Sequence, residues 1–186
     1  GANAFQQCSS LNSVSIGSGL TSIGDEAFSD CASVTTLVLN APLISTSTDF
    51  IKTYFGDSHT KIKSLTIGDS VTSIGDSAAR GCSGLESLTM GSGVRIINNN
   101  AFRDCSQLRS VIIPYNITHI GAGVFLSSGL ESVIIPDSVT NIGSGALKFC
   151  LNLKSVTISE RVKSIPSHFM EGCSILETLT IPNSVT

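Results

Sequence analysis

Six cysteines carry the most reactive side chains of the chain. In each of three pairs, the two thiols stand 23 residues apart: Cys8 and Cys31, Cys82 and Cys105, and Cys150 and Cys173. Zinc sites usually place two ligands only a few residues apart, as in C-x-x-C. The long, regular interval instead favours a stack of small, buried, free thiols. A disulfide between neighbouring units and a metal site are the alternatives.

The other residues that could serve in catalysis form no recognisable set. His59, His119 and His168 lie at different phases of the chain's periodicity, so we expect them on the surface. A nucleophile needs a base and an orienting group within hydrogen-bond reach, and none is apparent. Glycine pairs such as Gly121-x-Gly123 lack the complete G-x-G-x-x-G of a phosphate loop. The sequence therefore predicts no catalytic residue, no metal site and no cofactor.

A repeat of about 23 residues explains the cysteine spacing. Each unit begins with a short alternating apolar run, such as Leu85-x-x-Leu88-x-Met90, followed by a polar turn. A second apolar pair, a glycine, an Ala-Phe pair and the cysteine complete the unit. Alternation with period two predicts a strand, and glycine suits a turn that needs positive φ. The second apolar pair is anchored by isoleucine at Ile23, Ile74, Ile97, Ile120, Ile142 and Ile165.

One such unit cannot bury its apolar face alone, so the units must stack as a solenoid. The sequence predicts one mainly β array over residues 1–186, with a longer, irregular repeat at 41–70 and both ends cut within repeats. We count eight strand segments, which start at Val14, Leu37, Leu65, Leu88, Val111, Val133, Val156 and Leu179. Unpaired end strands would favour end-to-end self-association.

The irregular repeat contains a helical segment near residues 48–56, with aromatic residues on one side. Phe50, Tyr54 and Phe55 are candidate contacts with a protein partner. The alternative is that these aromatic side chains replace the missing Ala-Phe pair and pack inward, which is usual for aromatics at helical spacing.

The unit follows the pattern L-x-x-V-x-I-P-x-x-V-x-x-I-G-x-x-A-F-x-x-C. Residues 130–150 match it closely, with Leu147 in the Phe place, and residues 108–125 match with Val124 in the Ala place. The pattern resembles the BspA-like leucine-rich repeats over essentially the whole chain. The resemblance implies a right-handed curved array, with short strands on one face and turns or short helical turns on the other. It also implies an extracellular or cell-surface protein of a host-associated microbe, with a role in adhesion to host or matrix proteins.

Charged residues alternate in sign along the stack. They occupy the position after the first apolar residue of six units: Lys63, Glu86, Arg109, Glu131, Lys154 and Glu177. In-register strands would place each interior charge beside two opposite charges, which fixes the register.

Outward strand positions further along each unit supply the candidate binding residues. Ile112, Ile134 and nearby Tyr115 form a predicted apolar patch, and Thr89 and Thr157 flank it. Exposed apolar patches mark interfaces. The alternative is that β-branched residues simply suit a strand.

Composition narrows the function further. A net charge of -3, with only 13% charged residues, gives no basic surface for nucleic acid or acidic lipid. No apolar run has the length of a membrane span. The sequence therefore predicts a non-catalytic module that binds a protein partner, such as an extracellular-matrix or host-surface protein. The alternative is a structural spacer or stalk segment of a larger surface protein.

Overall fold

Short parallel strands recur along the whole chain in the computed structural model, which describes residues 1–186. The chain winds as a parallel β-solenoid of about seven turns. None of its helices has the length and apolar character needed to cross a bilayer. The elements are β1 (Ser13–Ile16), β2 (Thr36–Leu39), α1 (Phe50–Phe55), β3 (Ser64–Ile67), β4 (Ser73–Ile74), β5 (Ser87–Met90), β6 (Ile96–Ile97), β7 (His119–Ile120), β8 (Ser132–Ile134), β9 (Asn141–Ile142), β10 (Ser155–Thr157) and β11 (Thr178–Thr180), with 3₁₀-helices at Pro42–Ser45 and Gly56–Lys61.

The first strand of each unit joins one of two sheets on the same side of the solenoid. One sheet has the order β1-β2-β3-β5 and the other β8-β10-β11. The strands are parallel and in register, so that Leu65 lies beside Leu37 and Leu88. These leucines point into the core, and the residues between them point outward. We call the outward side of both sheets, with residues 110–113 between them, the strand face.

Seven of the eight predicted strand segments are strands in the structure, and the segment at Val111 is not. In the first sheet, the residue after a strand donates its N–H to the preceding strand. Gly68 donates to the Leu39 carbonyl at 2.8 Å, and Gly91 donates to the Ile67 carbonyl at 2.7 Å. Pro114 occupies this position after residues 110–113 and has no N–H to donate. The prediction of an unbroken sheet was therefore wrong at this unit.

A second ladder of two-residue strands, β4-β6-β7-β9, runs beside the strand face without interruption. Three glycines that follow these strands were expected to need positive φ, and they do not have it. They are required because adjacent units approach closely there. A Cβ atom on Gly75 would lie 2.6 Å from the Ile44 carbonyl oxygen, and one on Gly143 would lie 2.2 Å from the Ala122 nitrogen.

The Ala-Phe segments form turns stacked along the remaining side, which we call the turn face. Backbone hydrogen bonds join the units there. Phe102 donates to the Val124 carbonyl and Phe125 to the Ala146 carbonyl, both at 2.9 Å. The rings stack as well, with the centroids of Phe102 and Phe125 5.7 Å apart. The solenoid is thus held by ladders on three sides.

The irregular repeat fills the core with its own aromatic residues. Phe50 and Phe55 are buried, and the Phe55 ring stacks on Phe28 with a centroid distance of 4.9 Å. Tyr54 is half-buried and meets the Phe50 ring edge-on. The partner-contact interpretation is therefore wrong for Phe50 and Phe55. Their side chains take the place of the missing Ala-Phe pair and pack inward.

The cysteines link consecutive turns of the turn face. Cys31 donates its thiol hydrogen to the Phe5 carbonyl at 3.1 Å, and Cys150 donates to the Phe125 carbonyl at 3.1 Å. In the same way, Cys105 donates to the Ala79 carbonyl and Cys173 to the Leu147 carbonyl of the preceding unit. The thiol thus adds a second hydrogen bond to a carbonyl that already accepts a backbone N–H within the preceding turn, a role that spacing alone did not reveal.

One histidine departs from the expected surface location. His59 is buried in the second 3₁₀-helix. Its Nδ1 lies 2.7 Å from the Gly56 carbonyl oxygen, to which it donates in the matching tautomer. His119 and His168 are exposed, as expected. The burial of His59 follows from the irregular repeat, which has no counterpart among the other units.

Burial of the thiols predicts alkaline destabilisation. Burial raises the pKa of Cys82 to about 12 and that of Cys150 to about 11, whereas an unfolded cysteine titrates near about 8.5. The buried, protonated thiols stabilise the folded state fully below about pH 8, and this stabilisation is lost as the pH rises towards the folded pKa. The free energy of unfolding should fall by about 2 kcal/mol for Cys82 by about pH 10.

Urea unfolding at several pH values measures this loss. The Cys82→Ala variant should lose less stability between about pH 8 and pH 10 than the wild type. The matched control is Cys8→Ala, because Cys8 is exposed, and it should follow the wild-type pH dependence. Equal pH dependence of the Cys82→Ala variant and the wild type would contradict the assignment.

The charge alternation predicts unequal coupling along the stack. Lys63 Nζ lies 3.2 Å from Glu86 Oε1, and Arg109 pairs with Glu131 at 2.9 Å. Glu86 and Arg109 form no ion pair, so the expectation of two opposite neighbours for each interior charge was wrong. Double-mutant cycles with Lys63→Met, Glu86→Gln and Arg109→Met should give about 0.2–1 kcal/mol for Lys63–Glu86 and about zero for Glu86–Arg109. Equal couplings would contradict the assignment of ion pairs.

Candidate functional site

Three side chains on the strand face expose more apolar surface than their neighbours. The exposed fractions are 84% for Ile112, 87% for Tyr115 and 67% for Ile134. All three line one shallow groove of about 180 Å³, together with Pro136. We call Ile112, Tyr115 and Ile134 the apolar patch. The structure thus brings together the residues that the sequence singled out as a patch.

The local structure explains why these side chains point outward. Ile134 lies between the buried residues Val133 and Ile135, so strand alternation directs it away from the core. Ile112 keeps the same alternation, because its neighbour Ile113 is buried. Tyr115 follows Pro114 in the turn after this segment.

The predicted threonines flank the patch on either side. Thr89 of β5 is exposed and lines a second cleft with Ile112 and Tyr115. Thr157 of β10 is exposed and pairs in register with Ile134. Phe50 and Phe55 are buried in the core, and half-buried Tyr54 packs against the Phe50 ring. The strand-face candidates therefore form one surface, and the aromatics of the irregular repeat do not join it.

The cleft beside Thr89 is a feature that sequence reasoning missed. It has a volume of about 440 Å³ and lies between β5 and residues 112–116. No backbone hydrogen bond joins residues 86–90 to residues 109–114, so the strand face is split there. Pro114 removes one donor at this boundary, but Pro182 stands at the same position and β11 still pairs with β10, so the sequence pattern alone did not indicate the cleft.

The apolar patch carries no charged side chain. Neither groove includes a charged residue in its lining. The nearest ion pair on the strand face, Arg109 with Glu131, is exposed to solvent on both side chains. Exposed pairs of this kind contribute little free energy and are screened by salt. The patch therefore presents apolar and uncharged polar groups to solvent.

Ionisable residues elsewhere form two clusters of three side chains, one of Asp104 with Arg80 and Arg103 and the other around Glu171. Its Oε2 accepts from Lys148 Nζ at 3.0 Å and lies 2.5 Å from His168 Nδ1. These hydrogen bonds, from Lys148 first and then His168, lower the pKa of the Glu171 carboxyl. The cluster is exposed and contains no nucleophile. No group of three or more His, Cys, Asp or Glu residues in the structure could hold a metal ion.

Solved structures of bacterial proteins share this architecture. A leucine-rich repeat protein from Bacteroides ovatus is 25% identical, with a TM-score of 0.70 over 80% of this chain. The T. pallidum leucine-rich repeat protein is 27% identical, with a TM-score of 0.66 over 88% of this chain. The pneumococcal vaccine antigen PcpA, 16% identical over 94% of this chain and 62% of its own, has a TM-score of 0.50 and shares the fold.

This chain spans 40% of the Bacteroides protein and 66% of the T. pallidum protein. No curated protein matches the chain. The family model for the BspA type leucine-rich repeat region, in six copies, matches residues 1–106 and 81–186. These two matches together cover every unit of the solenoid, and the chain belongs to the BspA-type leucine-rich repeat family.

Proposed function

We propose that this chain is a recognition module that binds a protein partner through its strand face. Family membership indicates protein–protein interaction or a surface role, and leucine-rich repeat proteins are generally non-catalytic modules. The finer proposal is adhesion at the cell surface to an extracellular-matrix or host-surface protein. It rests on the resemblance to the BspA-type family and on the chemistry of the strand face.

The apolar patch is the observation that carries the proposal. Ile112, Tyr115 and Ile134 expose most of their side chains on one surface. Other units carry threonine at the outward position of Ile112 and Ile134, as at Thr66, Thr89 and Thr157. Burying such side chains against a partner stabilises a complex by about 25 cal/mol per Å² of apolar area. Aromatic anchors such as Tyr115 are typical of the residues that dominate binding energy.

The surrounding surface suits a protein partner. Hydroxyl and amide groups border the patch, including Ser110, Ser132 and Asn116. An apolar centre with a polar, hydrogen-bonding rim is the usual composition of a protein interface. The rigid stack behind the patch holds its residues in place, because ladders on three sides fix each unit.

A binding assay with strand-face variants tests the proposal. The purified chain is passed over a panel of immobilised extracellular-matrix and host-surface proteins, and the Ile112→Ser, Ile134→Ser double variant is compared. We expect a saturable partner whose affinity falls by about tenfold or more in the variant. The free energy of unfolding should change little, by about 0.5 kcal/mol per substitution, since both residues are exposed.

Leu151→Ser is the matched control, because Leu151 is also exposed and apolar but does not line the strand-face grooves. It should bind like the wild type. Loss of binding in the control alone would move the site away from the strand face. A folded chain that binds no protein of the panel would favour the spacer alternative.

A further inference from the structure

Strand pairing on the strand face is interrupted at residues 110–113, and the strands within each of the two sheets pair in register. Glu86 donates to the Lys63 carbonyl and Glu131 to the Arg109 carbonyl, at 2.8 and 2.9 Å. The equivalent bond from Arg109 to Glu86 is missing, as is every other backbone bond between residues 86–90 and 109–114. One edge of β5 therefore carries unpaired backbone groups.

The segment beyond the gap is unpaired as well. Residues 110–113 make no backbone hydrogen bond to β5 on one side or to β8 on the other. The segment nevertheless keeps an extended alternation, with Ile112 exposed and Ile113 buried. Backbone donors and acceptors thus face the cleft from both of its walls, in the spacing of a strand.

The gap is confined to the strand face. On the second ladder, Ile97 pairs with Ile120 across the same boundary. On the turn face, Phe102 donates to the Val124 carbonyl at 2.9 Å. Asn116 also crosses the boundary, donating from Nδ2 to the carbonyls of Ser92 and Val94. The cleft is therefore a fixed opening in an otherwise continuous stack.

The walls of the cleft have the chemistry of an extended polypeptide. Leu88, Met90, Ile112 and Pro114 supply apolar surface, and no lining residue is charged. Pockets for alternate side chains beside free main-chain groups are the requirements for strand addition. A carbohydrate or an anionic ligand would instead need a dense set of polar or charged side chains.

We propose that this cleft binds an extended segment of a protein partner by strand addition, with the backbone of the segment hydrogen-bonded to the free edge of β5. The inference rests on the proposed function and specifies its mode of recognition. Pro114 contributes to the opening, because it lacks the N–H that would donate to β5. Ile112 and Tyr115 contact the apolar side chains of the bound segment, which is low in charge and alternates apolar and polar residues.

The probe is a phage-displayed library of random twelve-residue peptides, selected on the wild-type chain. Selection should enrich uncharged, alternating sequences, and the best of these are synthesised for calorimetry. Methylation of backbone nitrogens at every second residue should weaken binding by about tenfold or more in one register and have little effect in the other. Only main-chain pairing along one edge predicts this difference.

The Pro114→Gly variant tests the part played by the proline. It places at this position the residue type found at Gly68 and Gly91, which restores a backbone N–H donor. Residues 110–113 should then pair with β5. We expect slower amide exchange at residues 110–114 and about tenfold weaker peptide binding. Pro182→Gly makes the same change in the last unit, away from the cleft, and should bind like the wild type.

Three results would overturn the inference: no enriched peptide, equal binding of peptides methylated in either register, or equal binding by the Pro114→Gly variant. Its failure is distinct from failure of the proposed function. A matrix protein that depends on Ile134 but binds the Pro114→Gly variant normally would leave the strand face as the site and exclude strand addition in the cleft.

Discussion

Backbone hydrogen bonds between consecutive units are the constraint on which this structure depends. A unit of about 23 residues contains little regular structure of its own, and its polar backbone must be satisfied by its neighbours. Strand pairing, the second ladder and the turn face meet this need on three sides. The side chains that recur with the period support the same stacking: glycines allow close approach, and thiols add a hydrogen bond between consecutive turns.

Exceptions to the period therefore have structural consequences that can be traced to single residues. Proline in place of a donating residue removes one rung of a ladder, as at Pro114. The missing ion pair between Glu86 and Arg109 coincides with the same boundary. The ion pairs do not follow backbone pairing in general, because Lys154 has no ion pair with Glu131 or Glu177 although β8, β10 and β11 are paired.

The periodic part of the fold could be predicted from the sequence, because each unit of the stack adopts the same local structure. The period located seven of the eight strands, and alternation along β8 placed Ile134 outward. The aperiodic part could not be predicted in this way. Whether Phe50 and Phe55 fill a core or contact a partner depends on the space left by neighbouring units. The cleft depends on bonds that are absent, and a pattern of residue types does not report absent bonds.

The arrangement of the apolar patch bears on the choice between recognition and a passive spacer. A spacer needs an unbroken stack, and threonine at each outward position would keep it soluble and paired. Here the largest exposed apolar side chains of the strand face, Ile112 and Tyr115, stand at the one unit whose strand is unpaired. Both features expose groups that water satisfies less well than a partner would. Their coincidence at one position, within a chain that is otherwise regular, argues that this surface is built for contact.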